Sequence, residues 1–372
     1  MGRKLLILNE RDLKHPWAGG AELHIHEMAR CFVAAGYRPV LLCTRHPRGA
    51  AEEVNEYGLR IRRFGNRLTY YLRLPSVVRE EVRTPGTVIL EHLNKIPFCT
   101  PLYTRAPVVL VTHHLFGSTA FAQAAFPVAA AVYLSERLIP YVYRGRPFIA
   151  VSPSTRDDLV RRGIPATHIR VIPNGLDHSL YRSAGRQPSE CPTILVLGRV
   201  EFYKRIELVL AALVRVRRRL PAARVLVVGD GRARERLEKL RDQLGLHDAV
   251  HFTGFVSDAE KVALVRSAHV VANTSDKEGW GLTVLEANAC GVPAVASDVP
   301  GLRDAVRHGE TGLLVPHGNV EELARALLEV LQDHDLRERL GRAAVAWAHN
   351  FSWEKAAEET LALVEAAARE AG

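Results

Sequence analysis

Cysteine is scarce in this chain, and nothing about its placement suggests pairing. The five cysteines among 372 residues (31, 43, 99, 191 and 290) are odd in number, widely spaced and without a CxxC pair. That pattern excludes a disulfide framework and a thiolate zinc site, and it leads us to expect a reducing, cytoplasmic setting. Apolar runs of membrane-spanning length are missing too. The opening Met1-Gly2-Arg3-Lys4-Leu5-Leu6-Ile7-Leu8-Asn9 is too short for a signal peptide and reads as a first strand. Short-period repeats and low-complexity tracts are also lacking.

What is present is the composition of a soluble globular protein, 47% hydrophobic and 24% charged, with length enough for two domains. Short apolar runs alternate with helical patterns. In the first half, strands are expected at Lys4–Leu8, Pro39–Thr44, Thr87–Glu91, Val108–Thr112, Phe148–Val151 and Ile169–Ile172, with helices at Ala21–Ala35 and 154–162. Residues 182–192 are polar and rich in helix and strand breakers, which predicts the domain joint there. A second alternating series follows, with strands at Thr193–Leu197, Arg224–Val228, Val250–Thr253 and Ala268–Ala272. Its helices fall near 206–219, 232–244, 258–267, Val320–Leu331 and Leu336–Asn350, before a last amphipathic helix from Ser352 or Trp353. Strict β-α alternation predicts doubly wound, mostly parallel sheets in two Rossmann-like domains. The expected boundaries are 1–181, 182–352 and a terminal helix over 353–372.

The formal charge of +9 is uneven. Residues 1–178 carry 24 Lys and Arg against 14 Asp and Glu, and the remainder is nearly balanced at 26 against 27. Either the first half faces an anionic partner, such as a membrane surface, a phosphorylated acceptor or nucleic acid, or the composition reflects an arginine-rich proteome.

One stretch looks built for a ligand: Thr274-Ser275-Asp276-Lys277-Glu278-Gly279-Trp280-Gly281-Leu282, leading into a helix over Leu282–Cys290 that Gly291 and Pro293 stop. Gly279 and Gly281 let the backbone turn tightly after a strand. The helix start then aims N–H groups and a positive dipole end at one place, which suits a phosphate. Glu278 in the turn and Glu286 within about 12 Å of helical rise would meet different parts of an extended ligand. Arg199 and Lys204, five residues apart after another strand, are a cationic pair able to reach one diphosphate.

These residues, taken in order, carry a resemblance to the family-four retaining glycosyltransferases. The pieces are Gly198-Arg199-Val200-Glu201-Phe202-Tyr203-Lys204, Gly229-Asp230-Gly231, Thr253-Gly254-Phe255-Val256, Ser275 to Gly291 with its Glu278-x7-Glu286 arrangement, and Gly309-Glu310-Thr311-Gly312-Leu313-Leu314. Earlier in the chain stand Gly19-Gly20-Ala21-Glu22, His113 and Pro173-Asn174-Gly175-Leu176-Asp177, so the resemblance runs nearly end to end. It implies the GT-B fold, two Rossmann-like domains facing a central cleft, with the last helix crossing back to the first domain. The implied activity is transfer of a sugar from a nucleoside-diphosphate sugar, UDP- or GDP-linked, to a hydroxyl acceptor with retention of configuration. No metal and no further cofactor are implied.

The resemblance also distributes roles. Arg199 and Lys204 stabilise the leaving diphosphate, with Gly279, Trp280, Gly281 and Leu282 lining the donor. Glu286 meets the ribose hydroxyls and Glu278 those of the transferred sugar. His113 contacts the donor sugar at the reaction centre. The N–H groups of Gly19 and Gly20 touch the diphosphate or the acceptor. Three positions depart from the family pattern: His114 where aspartate is common, Arg205 where glycine usually follows the lysine, and Trp280 where phenylalanine is usual.

Two other features invite readings that the spacing rejects. Glu22, His24, His26 and Glu27 look metal-like, but positions 24 and 26 of a helix face different ways and the zinc-helix spacing is missing. Gly229-Asp230-Gly231-Arg232 lacks the third glycine of a dinucleotide fingerprint, which argues against a nicotinamide enzyme. Segment 116–143, rich in alanines and aromatics and ending near Arg144 and Arg146, is either an ordinary helical segment or, with Arg60, Arg62, Arg63, Arg67 and Arg73, a docking face for an anionic bilayer and a lipid-linked acceptor. Two alternatives to transfer remain: another GT-B reaction, such as a sugar-nucleotide epimerase or a phosphorylase, and a basic nucleic-acid-binding protein. The second lacks a basic stripe interleaved with aromatics.

Overall fold

The computed structural model describes residues 2–371 apart from 94, 120 and 122–124, so the expected docking segment 116–143 lies partly outside the described residues. Chain contacts divide the protein into two units, Met1–Gly175 with Trp353–Gly372, and Leu176–Ser352.

The first unit is built on an eight-stranded sheet in the order β3-β4-β2-β1-β5-β6-β7-β8. Its strands are β1 (Lys4–Leu8), β2 (Arg38–Thr44), β3 (Glu52–Val54), β4 (Arg60–Phe64), β5 (Val88–His92), β6 (Val108–Thr112), β7 (Phe148–Ala150) and β8 (Ile169–Val171). All neighbours are parallel except β3 and β4, an antiparallel pair at one edge. Central strands such as Val108–Thr112 are buried along their whole length, as a sheet covered on both faces requires. One cover joins the helix Gly20–Ala34 to the last helix, Trp353–Ala371; Tyr37 donates to Glu365 at 2.8 Å and Arg30 pairs with Glu354 at 3.1 Å. Tyr70, Leu74 and Val78 on the helix Thr69–Glu81 cover the other face.

The second unit is a six-stranded, all-parallel sheet in the order β11-β10-β9-β12-β13-β14. The strands are β9 (Thr193–Leu197), β10 (Arg224–Val228), β11 (Val250–Gly254), β12 (Val270–Asn273), β13 (Ala294–Ser297) and β14 (Gly312–Val315). Counted within the unit, this is the 3-2-1-4-5-6 arrangement of doubly wound nucleotide-binding sheets, whose winding reverses between β9 and β12.

The division falls at Gly175, ahead of the breaker-rich stretch at 182–192. That stretch is irregular but docked on the second unit: Ser189 N–H donates to Ser267 O at 2.9 Å, and Arg186 donates to Ala268 O at 3.1 Å. Breakers mark where regular structure stops, which need not be where domains part. The expected basic face also needs correcting. Arg63 is fully buried on Asp12 and Glu53, Arg62 meets Glu80 and Glu81, and Arg60 meets Glu52 at 3.0 Å. These three arginines sit on β4, where neighbouring carboxylates take up their charge.

Candidate functional site

The loops after β9 and β12 flank the point where the second sheet reverses, and most of the sequence-predicted donor residues lie on them. The loop after β9 is pressed against the one after β10. A Cβ on Gly229 would sit 2.1 Å from Gly198 O, and one on Gly231 would sit 2.3 Å from Val200 O. The Gly-Asp-Gly motif therefore serves close backbone packing, which explains glycine there without a dinucleotide. Phe202–Lys204 forms a short turn. Thr274 Oγ1 donates to Lys204 O and Arg205 O at 3.1 and 2.9 Å, and Asp276 N–H donates to Tyr203 O at 2.8 Å. These bonds fix the two loops to each other.

The fixed loops bring together Arg199, Lys204 and Glu278. The Lys204 ammonium is hydrogen-bonded to Glu278 Oε1, and Ser275 Oγ donates to the same oxygen at 2.8 Å. Ser275 is itself held by Asn273 Oδ1, 2.7 Å from its hydroxyl and 3.1 Å from its N–H. Arg199 Nη2 lies 3.4 Å from the Tyr203 hydroxyl, and the Lys204 ammonium lies over the Tyr203 ring at 5.4 Å. Burial works against the Lys204 charge and Arg199 repels it. The Glu278 carboxylate, with Tyr203, outweighs both and raises the lysine pKa. Lys204 thus stays protonated, a fixed cation beside a carboxylate able to accept from sugar hydroxyls.

Gly281, at φ +73°, starts the helix Leu282–Ala289, and a Cβ there would come 3.0 Å from that of Ala305. Gly279 is not among the glycines of positive φ. The Trp280 indole is buried and packs edge-on against Phe351 at 5.0 Å, and its Nε1 has no hydrogen-bond partner among the described residues. Glu286 is buried in a cluster of its own, accepting from Tyr181 and lying 3.5 Å from Lys261. Burial raises its pKa, and Lys261 and Tyr181 partly oppose that.

Sequence reasoning missed Ser275, Asn273 and Tyr203 as supports of Glu278 and the cations, and it missed Gly301. A Cβ on Gly301 (φ +82°) would lie 2.2 Å from Glu278 O, and Glu278 N–H donates to Pro300 O at 3.1 Å. The turn carrying Glu278 therefore leans on a loop more than twenty residues away, a contact no local pattern signals.

In the first unit, Gly19 precedes the helix Gly20–Ala34, but its N–H is taken by Glu22 Oε2 at 2.7 Å. That corrects the expectation that both Gly19 and Gly20 present bare donors. Gly20 borders open space, since a Cβ there would meet nothing within 4 Å. His113, just past β6, does not stand alone. Its Nε2 lies 3.2 Å from Nδ1 of His92, the last residue of β5, and its ring is 4.9 Å from that of His24. Burial pushes His24 down to about 4 and holds His92 and His113 well below the usual imidazole range, so all three are neutral at pH 7. Helix spacing correctly separates His24 from His26 but says nothing of partners contributed by β5 and β6.

Two Rossmann-like units, with cations and a carboxylate at the reversal point of the second, define the architecture of a GT-B glycosyltransferase. The glycosyl transferases group 1 model matches residues 178–347, and the Glycosyltransferase Family 4 model matches residues 18–180. The chain is 32% identical over 316 residues to a D-inositol 3-phosphate glycosyltransferase of Nocardia farcinica, covering 78% of this chain and 70% of that protein. It is 28% identical over 387 residues to a glycogen synthase of Mycobacterium tuberculosis, covering 94% and 92%. Among solved structures it resembles a sucrose-phosphate synthase from Thermosynechococcus elongatus, with a TM-score of 0.82 and 22% identity over 97% of this chain and 98% of the other. It also resembles Anabaena HepE in complex with UDP and glucose, with a TM-score of 0.79 and 22% identity over 98% and 100%. The chain belongs to the group 1, family-four glycosyltransferases, and its activity is glycosyl transfer.

Proposed function

We propose that the protein is a retaining, metal-independent transferase that takes its sugar from a nucleoside diphosphate, UDP- or GDP-linked, and passes it to a hydroxyl acceptor. The observation that carries this reading is the constellation of Arg199, Lys204 and Ser275-supported Glu278 beside the Gly281 helix start. When the bond between the anomeric carbon and the diphosphate oxygen breaks, the electron pair stays on the diphosphate. Arg199 and Lys204 meet that charge, and fixed cations placed where charge develops lower the barrier. Glu278 accepts from hydroxyls of the transferred sugar, and Glu286 from those of the ribose. His113 contacts the donor sugar, as the family resemblance implies. The acceptor oxygen bonds to the anomeric carbon on the face the diphosphate leaves, and its proton passes to a phosphate oxygen. UDP in the HepE complex supports a uridine donor.

Acceptor binding falls to the first unit. Leu68 and Leu72 are exposed beside exposed Arg67 and Arg73, and Phe126, Leu134, Leu138 and Tyr141 are exposed beside Arg137 and Arg144. Such surfaces support peripheral contact of a cytoplasmic protein with an anionic membrane and a lipid-linked acceptor. No helix among the described residues is long and apolar enough to cross a membrane.

A thermal-shift screen of sugar nucleotides, followed by nucleotide release with candidate acceptors, tests the reading. A sugar nucleotide should raise Tm, turnover should survive a chelator, and proton NMR of the product should show the donor's anomeric configuration. Inverted product, or no stabilisation by any sugar nucleotide, would refute it. Sedimentation with vesicles containing anionic lipid, but not with neutral ones, tests the membrane contact.

A further inference from the structure

We propose that His24, His92 and His113 form a binding site for one divalent transition-metal ion of the zinc type, with a fourth coordination position open. The three histidines come from three chain segments that meet where the first sheet reverses, between β1 and β5. His24 lies in the second turn of the helix after β1, His92 ends β5 and His113 follows β6. One ring nitrogen from each lies within 4.8 Å of the others. The His92 and His113 nitrogens stand 3.2 Å apart. Two nitrogens bound to one tetrahedral zinc at about 2.0–2.1 Å are themselves about 3.3 Å apart, so this edge of the site has ligating dimensions.

A second observation points the same way. Nδ1 of His24 is buried and makes no close hydrogen bond among the described residues, although the Asn174 side chain lies near enough to favour the charged ring. Three nitrogen donors without a carboxylate suit zinc, cobalt, nickel or copper and not magnesium or calcium. Three protein ligands leave the fourth position for water or an exogenous anion. His113, the half-buried member, marks the entry side. The group Glu22, His24, His26 and Glu27 is still no site, because His24 ligates with partners from other strands.

An occupied site would engage a ring nitrogen of His113. Given the donor-contact role proposed above, the ion should therefore inhibit transfer, and a chelator should relieve the inhibition.

The test is made on untagged full-length protein stripped with a chelator, without sugar nucleotide, so its outcome is independent of the transferase reading. Titration with Co2+ should give the visible band of four-coordinate cobalt at one equivalent, and one equivalent of Zn2+ should abolish it. His24→Gln and His92→Gln should each weaken binding by at least roughly 100-fold while keeping the native circular dichroism spectrum. X-ray absorption of the wild-type zinc form should count three imidazoles, a measurement that stands even if the variants fail to fold. The proposal is overturned by absence of stoichiometric cobalt binding, by binding undiminished in both folded variants, or by a zinc shell with fewer than three imidazoles, as from an ion on exposed histidines such as His247 and His334. If metal binds as described while no sugar nucleotide is turned over, the function proposed above fails and this site stands.

Discussion

The two sheets each reverse their winding at one place, and at both the chain gathers polar side chains, in opposite electrostatic states. In the second unit Lys204 keeps its charge through its ion pair with Glu278, and Arg199 joins them 3.4 Å from the Tyr203 hydroxyl. In the first unit His24, His92 and His113 lie together, and burial leaves them neutral. Pairing with an opposite charge preserves charge for work on a phosphate, whereas burial among other neutral rings removes it. The fold offers the same location twice; the side chains decide which chemistry it holds.

The largest effect should come from unpairing the charged set. Lys204→Ala and Glu278→Ala should each lower kcat/KM by about 1000-fold, about 4 kcal/mol of transition-state stabilisation, measured by nucleotide release. Lys204→Ala also strands a carboxylate that is 16% exposed, which should cost about 1–3 kcal/mol in urea unfolding after allowing for the remaining solvent. The double variant Lys204→Met with Glu278→Gln should regain most of that stability and none of the transfer. Wild-type turnover in either alanine variant would sink the assignment.

Next in size is the backbone support of Glu278. Gly301→Ala places a Cβ 2.2 Å from Glu278 O at a residue with φ +82°, so the Glu278 turn must move. About 2–3 kcal/mol of stability and up to about 100-fold in kcat/KM should go, since misplacing a catalytic group by about 1 Å has that effect. Normal kinetics in a folded Gly301→Ala protein would mean that Glu278 needs no such fixing.

The rule that burial keeps histidine neutral can be sharpened away from either site, at His269. Burial, then Arg337, Arg186 and Arg224, lower its pKa to about 4, and Thr193 N–H donates to its Nδ1, which requires the neutral ring. Above pH 6.5 folded and unfolded chains are both neutral there, so the contribution is complete. As pH falls from 6.5 toward 4 the unfolded chain takes up the proton and the folded one does not, so stability declines, by about 1 kcal/mol once solvent screening of the half-buried ring is allowed for. Urea unfolding at pH 7 and pH 4.5 should show a smaller acid loss in His269→Asn than in wild type. Equal losses would mean that His269 titrates normally in the fold.

Most central strands were legible because burial on both faces writes them as continuous apolar runs; Lys4–Leu8, Val108–Thr112, Thr193–Leu197 and Arg224–Val228 fall where the pattern puts them. The edge pair β3 and β4 was not, because Glu-Glu-Val and Arg-Ile-Arg-Arg-Phe exchange apolar content for the cross-strand charge pairs of Glu52 with Arg60 and Arg62. The short strand Ala294–Ser297 hides for another reason: small residues between Pro293 and Pro300 carry little periodic signal. At the site, local sequence pointed to Arg199, Lys204 and Glu278 as single positions. Their supports, Asn273 through Ser275 and Gly301 through the Glu278 backbone, depend on tertiary contact, as does the meeting of His24 with His92 and His113.

The smallest predicted effect concerns a departure from the family pattern whose reason is visible. Arg205 adopts φ +50° and ψ +38° at the start of the helix Ile206–Arg217, a left-handed conformation that accounts for glycine being usual there. A non-glycine residue pays about 1–2 kcal/mol for that backbone. Here the guanidinium recovers part of it by pairing with Glu207 at 2.6 Å and Asp276 at 3.2 Å, so the side chain ties the loop after β9 to the loop after β12. Arg205→Gly removes the strain and the tie together and gives the unfolded chain more freedom, so the net change in stability should lie within about 1 kcal/mol of zero. Arg205→Ala keeps the strain and loses the tie, and should be the less stable of the two by about 1 kcal/mol. If alanine proved the more stable, the left-handed backbone at 205 would not be the reason glycine suits this position.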